Sequence, residues 1–446
     1  MKFRIMKKSI AFLGAVAMLS GLAACGSGSN KADESTNGKT EITVWAWEPT
    51  LKQVVPLFEK KNPNIKVKLQ NVGTGTKHYT ALDNALQAGS GAPDVSQIEY
   101  NMVPQYVIGK HLQDITSKVS GYDGFYTPGT WNAVHQGGKI YSLPMDSGPM
   151  AFFYDKEEFD KAGVDATQIK TWDDYYQAAK KLRAVGAYIT SDSGDASMLE
   201  TMSWLAGGRP FKLSADGSKI GINLTGDAGT KKFIDFWQKM ISEDLIDTKT
   251  VAWSEDWFKG FVDGTIASQL TGAWMPANFA NSAPAAAGKW RVLPMVTPDG
   301  SKVNAELGGS SLAVISTSKK ADAAFKFIEF ANHDREGIDA RVDGGAFPSD
   351  VKTMKSSKFL NATTVKNSDG TPINYFGGEK YNAVLAEGAK LVHKGFQWTP
   401  FEVYTRAKFG DYMGKSFTQH QPLSTGLAAW QKNLKSYAKQ QGFQVE

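Results

Sequence analysis

The fold turns on EITVWAWEPTLKQVVPLFEKKNPNIKVKL, residues 41–69. Residues 41–47 alternate and carry β-branched and aromatic side chains, the pattern of a half-buried strand. Pro49 then opens a helix whose Leu51, Val54, Val55 and Phe58 share one face. Lys60, Lys61 and the Asn62-Pro63 pair close it. Ile65, Val67 and Leu69 resume a two-residue alternation. Strand, helix and strand in succession form a βαβ unit, and such units build mostly parallel sheets covered by helices.

The pattern continues toward the C-terminus. Residues 79–88 read as a helix stopped by Gly89-Ser90-Gly91, and 94–98 as a third strand. Further strands are expected at 139–143, 150–154, 266–270, 290–294 and 311–316. Helices are expected at 172–182, with Thr171 as its N-cap, and at 198–205, 230–241, 253–263, 321–331, 379–393 and 423–440. No internal repeat interrupts this order. About 400 residues of body give room for two α/β units.

Toward the N-terminus the chain reads as an export signal. Lys2, Arg4, Lys7 and Lys8 precede an apolar run over 10–22, too short to span a bilayer as a permanent helix. The run ends in Leu22-Ala23-Ala24-Cys25, the lipobox pattern of bacterial lipoproteins, with Cys25 as the residue to be lipidated and 1–24 as the part removed. Cys25 is the single cysteine, so neither an internal disulfide framework nor a cysteine zinc site is available. Residues 25–39 are polar and rich in Gly and Ser, and read as a flexible tether. The formal charge of +5 is mostly leader: without its four cations, 46 basic residues face 45 acidic ones, a net of +1. That balance gives no support to nucleic-acid binding.

Catalytic signatures are missing. There is no G-x-S-x-G elbow and no H-E-x-x-H. His78, His111, His135, His333, His393 and His420 have no metal-ligand spacing. The stretch GDYMGKS at 410–416 is one residue short of a phosphate loop and follows no strand, so it reads as a helix with a Gly break. Gly73-Thr74-Gly75-Thr76 lacks the third glycine of a dinucleotide turn and reads as a loop beside a cleft.

Five stretches in order carry a resemblance to a known family: 42–48, ALQAGSGAPDV at 85–95, IYSLPMDSGPMAFFYDKEEFDKAG at 140–163, KTWDDYYQAAKKL at 170–182 and FKGFVDGTIASQLTGAWM at 258–275. Behind a lipobox, this series resembles the carbohydrate-binding branch of the solute-binding proteins of ABC importers (family 1, the maltose-binding-protein group). The resemblance runs from Thr40 to about Gln440. It implies an α/β periplasmic-binding-protein-like fold of type II, two lobes joined by a hinge crossed three times, near Gly148, Leu312 and Phe347. Lobe 1 would comprise 40–148 and 313–347, and lobe 2 149–312 and 348–446. It implies a monomer without cofactor or metal, held to the cell membrane through lipid on Cys25, that delivers a small oligosaccharide to permease subunits.

A sugar offers C–H faces to flat rings and hydroxyls to a polar rim, so aromatic and acidic or amide residues at strand ends are the candidates. Trp45 and Trp47 share one side of the first strand, and Trp47 lies nearer its end. Glu99, Tyr100 and Asn101 follow the third strand, and Asp146 follows Pro144 at the first crossing. Trp274 is the main stacking ring that the resemblance implies, with Asn278 one turn on. Trp398, in a loop without helical pattern, is a third aromatic candidate. Lys77, His78 and Tyr79 border the Gly loop as secondary candidates, while Trp172, Trp237 and Trp257 are assigned to the core. Two other functions stay in competition: capture of a polyamine or peptide, which would bind with strong salt dependence, and glycoside hydrolysis through paired carboxylates such as Glu99 and Asp146.

Overall fold

The computed structural model describes residues 38–214 and 217–446. The export segment, Cys25 and most of the tether lie outside the described residues.

The opening βαβ unit forms as its pattern dictates. Strand Thr40–Trp45 pairs in parallel with Ile65–Gln70 on one side and Val95–Glu99 on the other. Helix Leu51–Lys61 buries Leu51, Val54 and Phe58 against this sheet and leaves Val55 half-buried on its flank. Strand Ser310–Val314 enters antiparallel to Val95–Glu99, and the short Leu143–Pro144 pairs beyond it. Side chains alternate between two cores, as a pleat requires. Leu312 and Val314 join Ile42, Val44 and Phe58 on one face, and Ala313 and Ile315 join Tyr79, Ile98 and Tyr106 on the other.

A second lobe is built round strand Met150–Asp155, flanked by Ser268–Gly272 and Trp290–Pro294, both antiparallel to it. Its pleat divides the core the same way. Phe152 and Tyr154 pack with Trp172, Trp237 and Trp430, while Ala151 and Phe153 pack with Phe279, Trp290 and Tyr375. Helix Trp172–Ala184 starts at a full capping box, Thr171 with Asp174. Fully buried helix faces on both sides of each sheet are what a chain with strands apolar on both faces demands.

The lobes are joined by three passages. The first runs between Pro144 and Met150. The second runs antiparallel beside it at 306–309, where the Leu307 N–H donates to the Gly148 carbonyl (2.8 Å). Sequence placed this passage near Leu312, but Ser310 and Ser311 already pair with Glu99 and Ile98, so it lies a few residues earlier. The third is drawn out. Phe347 sits in the second lobe's core, Pro348 and Asp350 bridge back to Asp146 and Tyr126 of the first lobe, and Phe359 is again in the second core. Residues 348–353, given to lobe 2 by the sequence, therefore pair with lobe 1.

Two elements differ from the sequence expectation in ways that matter below. The strand expected at 139–143 is two short pieces, Lys139–Ile140 and Leu143–Pro144. The helix expected from Trp253 begins at Glu255, because the Ser254 hydroxyl accepts the Trp257 N–H (3.1 Å) and caps it there. Residues 410–416 lie within helix Glu402–Thr418. Among the described residues no helix is long and apolar enough to cross a membrane, and no His, Cys, Asp and Glu group has the arrangement of a metal site.

Candidate functional site: the cleft between the lobes

Between the lobes lies a cavity of about 440 Å³, within the usual range for small-molecule sites. It opens at the carboxyl ends of Thr40–Trp45 and Val95–Glu99, where open α/β sheets place their ligands.

Trp47 leaves the first strand at this mouth. Buried Gln97 accepts N–H bonds from both Trp47 and Glu48 (3.0 Å each) and donates to the Ser310 hydroxyl (3.0 Å). This staple ends the strand and turns the indole into the cleft. His78 and Tyr79 meet the ring edge-on at centroid distances of 4.8 and 6.3 Å. Burial lowers the His78 pKa to about 4, so His78 is a neutral packing partner at physiological pH.

Trp274 faces it from the second lobe. Its Nε1–H donates to the Leu307 carbonyl in the second passage (2.7 Å), so its one polar atom is satisfied and its faces are left for packing. The approach is close. A Cβ on Gly272 would collide with the indole nitrogen and crowd the Leu307 carbonyl. Trp253 stands beside Trp274, with ring centroids 5.5 Å apart and planes at 30°. It adopts a left-handed backbone (φ 69°) and is 37 % exposed. A non-glycine residue there is strained, a cost that clusters at functional positions.

The polar rim is acidic and amidic. The Tyr79 hydroxyl donates to Glu99 Oε2 (3.1 Å) and accepts the Glu99 N–H (2.9 Å). Across the cleft Arg406 lies 3.8 Å from Glu99 Oε1 while binding Glu402 (2.9 Å) and Glu200 (3.1 Å) on its own lobe. Burial raises the pKa of Glu99, partly offset by Arg406. Asp146 accepts the Ser310 N–H (2.6 Å), and burial first, then Glu48, pushes its pKa up to about 8. Asn278 donates through Nδ2 to the Trp274 carbonyl (3.2 Å), which leaves Oδ1 as the atom it can offer a ligand. The loop Asp192 to Asp195 supplies further polar lining.

Trp47, Glu99, Asp146, Trp274 and Asn278 thus line one cavity. Tyr100, Asn101 and Trp398 do not. Tyr100 is buried and donates its hydroxyl to the Asp146 carbonyl (2.6 Å), so it supports the site from behind. Asn101 is buried outside the cavity. Trp398 packs edge-on against Trp204 and Phe396 (5.7 and 5.4 Å) in the second lobe's core. Trp257, assigned to the core, is buried and also reaches the cavity wall. Arg406 and Trp253 carried no legible signal, the first because its helix shows a weak apolar pattern, the second because it continues a helical one.

These features define a class: a two-lobed binding protein with an aromatic-walled, polar-rimmed cleft between its lobes. The sequence profile of the family "Bacterial extracellular solute-binding protein" matches residues 45–336, well over half of the chain, and the chain belongs to that family. Members bind solutes outside the cytoplasm and are not enzymes. One similar solved structure is the ABC-transporter-associated binding protein of B. animalis subsp. lactis Bl-04 in complex with β-1,6-galactobiose. It is 61 % identical, with a TM-score of 0.90, over 92 % of this chain and 100 % of that one. The galacto-N-biose/lacto-N-biose I-binding protein of Bifidobacterium longum, in complex with lacto-N-biose, is 25 % identical, with a TM-score of 0.75, over 93 % of this chain and all of that one. The arabinooligosaccharide-binding protein of Bacillus subtilis (strain 168) is 28 % identical over 74 % of this chain and 77 % of its own.

Proposed function

We propose that this protein captures a short galactose-containing oligosaccharide between its lobes and delivers it to the membrane subunits of an ABC importer. The two units of the fold act as jaws about the three passages, the hinge closure open to such architectures. The observation that carries this reading is the pairing of Trp47 with Trp274 and Trp253 across one cavity whose rim holds Glu99, Asp146 and Asn278. Rings take the C–H faces of a pyranose, and the acidic groups and the amide take its hydroxyls. The 61 % identity to a protein holding β-1,6-galactobiose makes β-1,6-linked galactosides the first ligands to try. Lipid on Cys25, with the residues up to 39 as tether, would hold the protein at the outer face of the membrane.

Calorimetry with β-1,6-galactobiose, lacto-N-biose, maltose, arabino-oligosaccharides and spermidine tests the ligand class. Heat with the galactosides, little changed by salt, supports it. Heat with spermidine alone, or release of monosaccharide from any of the sugars, overturns it. Labelling cells with a radioactive fatty acid tests the anchor: label in the natural chain and none in Cys25→Ser is expected.

A further inference from the structure

The cleft does not end at Trp253. A second cavity, of about 670 Å³, continues outward between the lobes. It shares Trp47, Glu48, Thr74, Trp253 and Asn278 with the inner one, so the two are sections of one channel with Trp253 at the division.

Its walls suit the same chemistry as the inner section. On the first lobe, half-buried Val55, Val67 and Leu69 give an apolar strip along the edge strand and its neighbouring helix. On the second lobe, Phe258 continues the aromatic wall and Asn281 adds an amide beside Asn278. Exposed Lys52 and buried Glu48 are its charged lining residues, one of each sign, which favours a neutral guest. The partial exposure of Val55 is part of this: the sequence pattern assigns it to the helix's apolar face, and it lines the groove instead of the core.

We propose that this outer groove is an extension of the binding site that takes the third and later units of a linear oligosaccharide. Trp253 is the ring on which the ligand passes from the inner section to the outer. This rests on the sugar-capture function proposed above, and adds to it a preference for chains longer than a disaccharide. The strained backbone of Trp253 fixes the indole at the junction, where it lies 5.5 Å from Trp274 and 5.4 Å from Trp257.

The test is calorimetry on the full chain with β-1,6-linked galactobiose, galactotriose and galactotetraose. Two blocking variants accompany it, Ser282→Trp and Lys52→Trp, each at an exposed position on an opposite wall of the outer groove and outside the inner one. The triose and tetraose are expected to bind the natural chain about tenfold tighter than the biose, a difference of about 1.4 kcal/mol. In either variant the biose keeps its affinity and the gain for longer chains is lost. If the biose binds but longer chains bind no tighter, or if their gain survives both blocks, the outer site is overturned and sugar capture stands. If no member of the series binds, capture of this ligand class fails, and the extension fails with it.

Discussion

Trp274 and Trp398 show how one residue type divides between binding and support. Trp274 has its indole nitrogen satisfied by Leu307 and a face on the cleft, whereas half-buried Trp398 packs on Trp204 and Phe396 and lines no part of the cleft cavity. Trp274→Ala should weaken ligand binding by about 2 kcal/mol or more, roughly thirtyfold, and should also lower the urea midpoint, because the ring packs on both cores of the second lobe. Trp398→Ala should cost stability alone, about 2 kcal/mol in urea titration, while the folded fraction keeps its affinity. Asp146 and His78 set opposite limits on pH. Asp146 has a raised folded pKa, so its contribution is present at low pH and is lost as pH rises through about 8. His78 has a folded pKa lowered to about 4, so below its unfolded value of about 6.5 the unfolded chain takes up the proton and stability falls. Between about pH 4 and 6.5 the two effects offset each other, and from about pH 6.5 to 8 the melting temperature should fall as Asp146 alone is titrated. Asp146→Asn keeps an acceptor for the Ser310 N–H and should flatten the alkaline limb, raising Tm at pH 9 by on the order of 2 °C in a thermal scan.

At the scale of elements, the site depends on close contact between hinge segments. A Cβ at Gly148 would strike the Leu307 carbonyl, and one at Gly272 would strike the Trp274 indole. Gly272→Ala should displace the ring and weaken ligand binding at least about tenfold, with a smaller loss of Tm; unchanged affinity by calorimetry would contradict the packing argument. This is also the scale at which the sequence was most and least legible. Alternation at Ile42 and Val44, and the Thr171 cap, state locally what the structure realises, because pleat and cap are short-range geometry. Trp398 misled because nothing in residues 396–400 records that Trp204 comes to meet them from far along the chain. Trp253 was hidden for the opposite reason: its spacing fits the helix that follows, and only the Ser254 cap excludes it. Asp146 and Trp274, chosen through the family resemblance and strand ends together, reach the cavity wall, whereas Asn101, two residues past the end of the third strand, turns inward.

At the scale of the molecule, the lobes touch through more than the hinge. Helix Glu402–Thr418 belongs to the second lobe, yet its Val403 N–H donates to Gln105 of the first (3.0 Å) and Arg406 faces Glu99. Arg406 is surrounded by three carboxylates, and burial raises the pKa of Glu200 and Glu99 in spite of it. Arg406→Ala should cost about 3 kcal/mol at neutral pH by leaving buried charges unpaired. The loss should shrink as pH falls and Glu99 and Glu200, whose pKa burial raises, take up protons in the folded state, and urea titrations over a pH series check it. The overall account stands on the two lobes gripping one sugar between indoles. Its most direct test is a crystal structure with β-1,6-galactobiose at saturation. The account predicts density for pyranose rings packed on Trp274 and Trp47, with hydroxyls within bonding distance of Glu99, Asp146 or Asn278. A cleft free of sugar at saturation, or sugar seated away from both indoles, would contradict it.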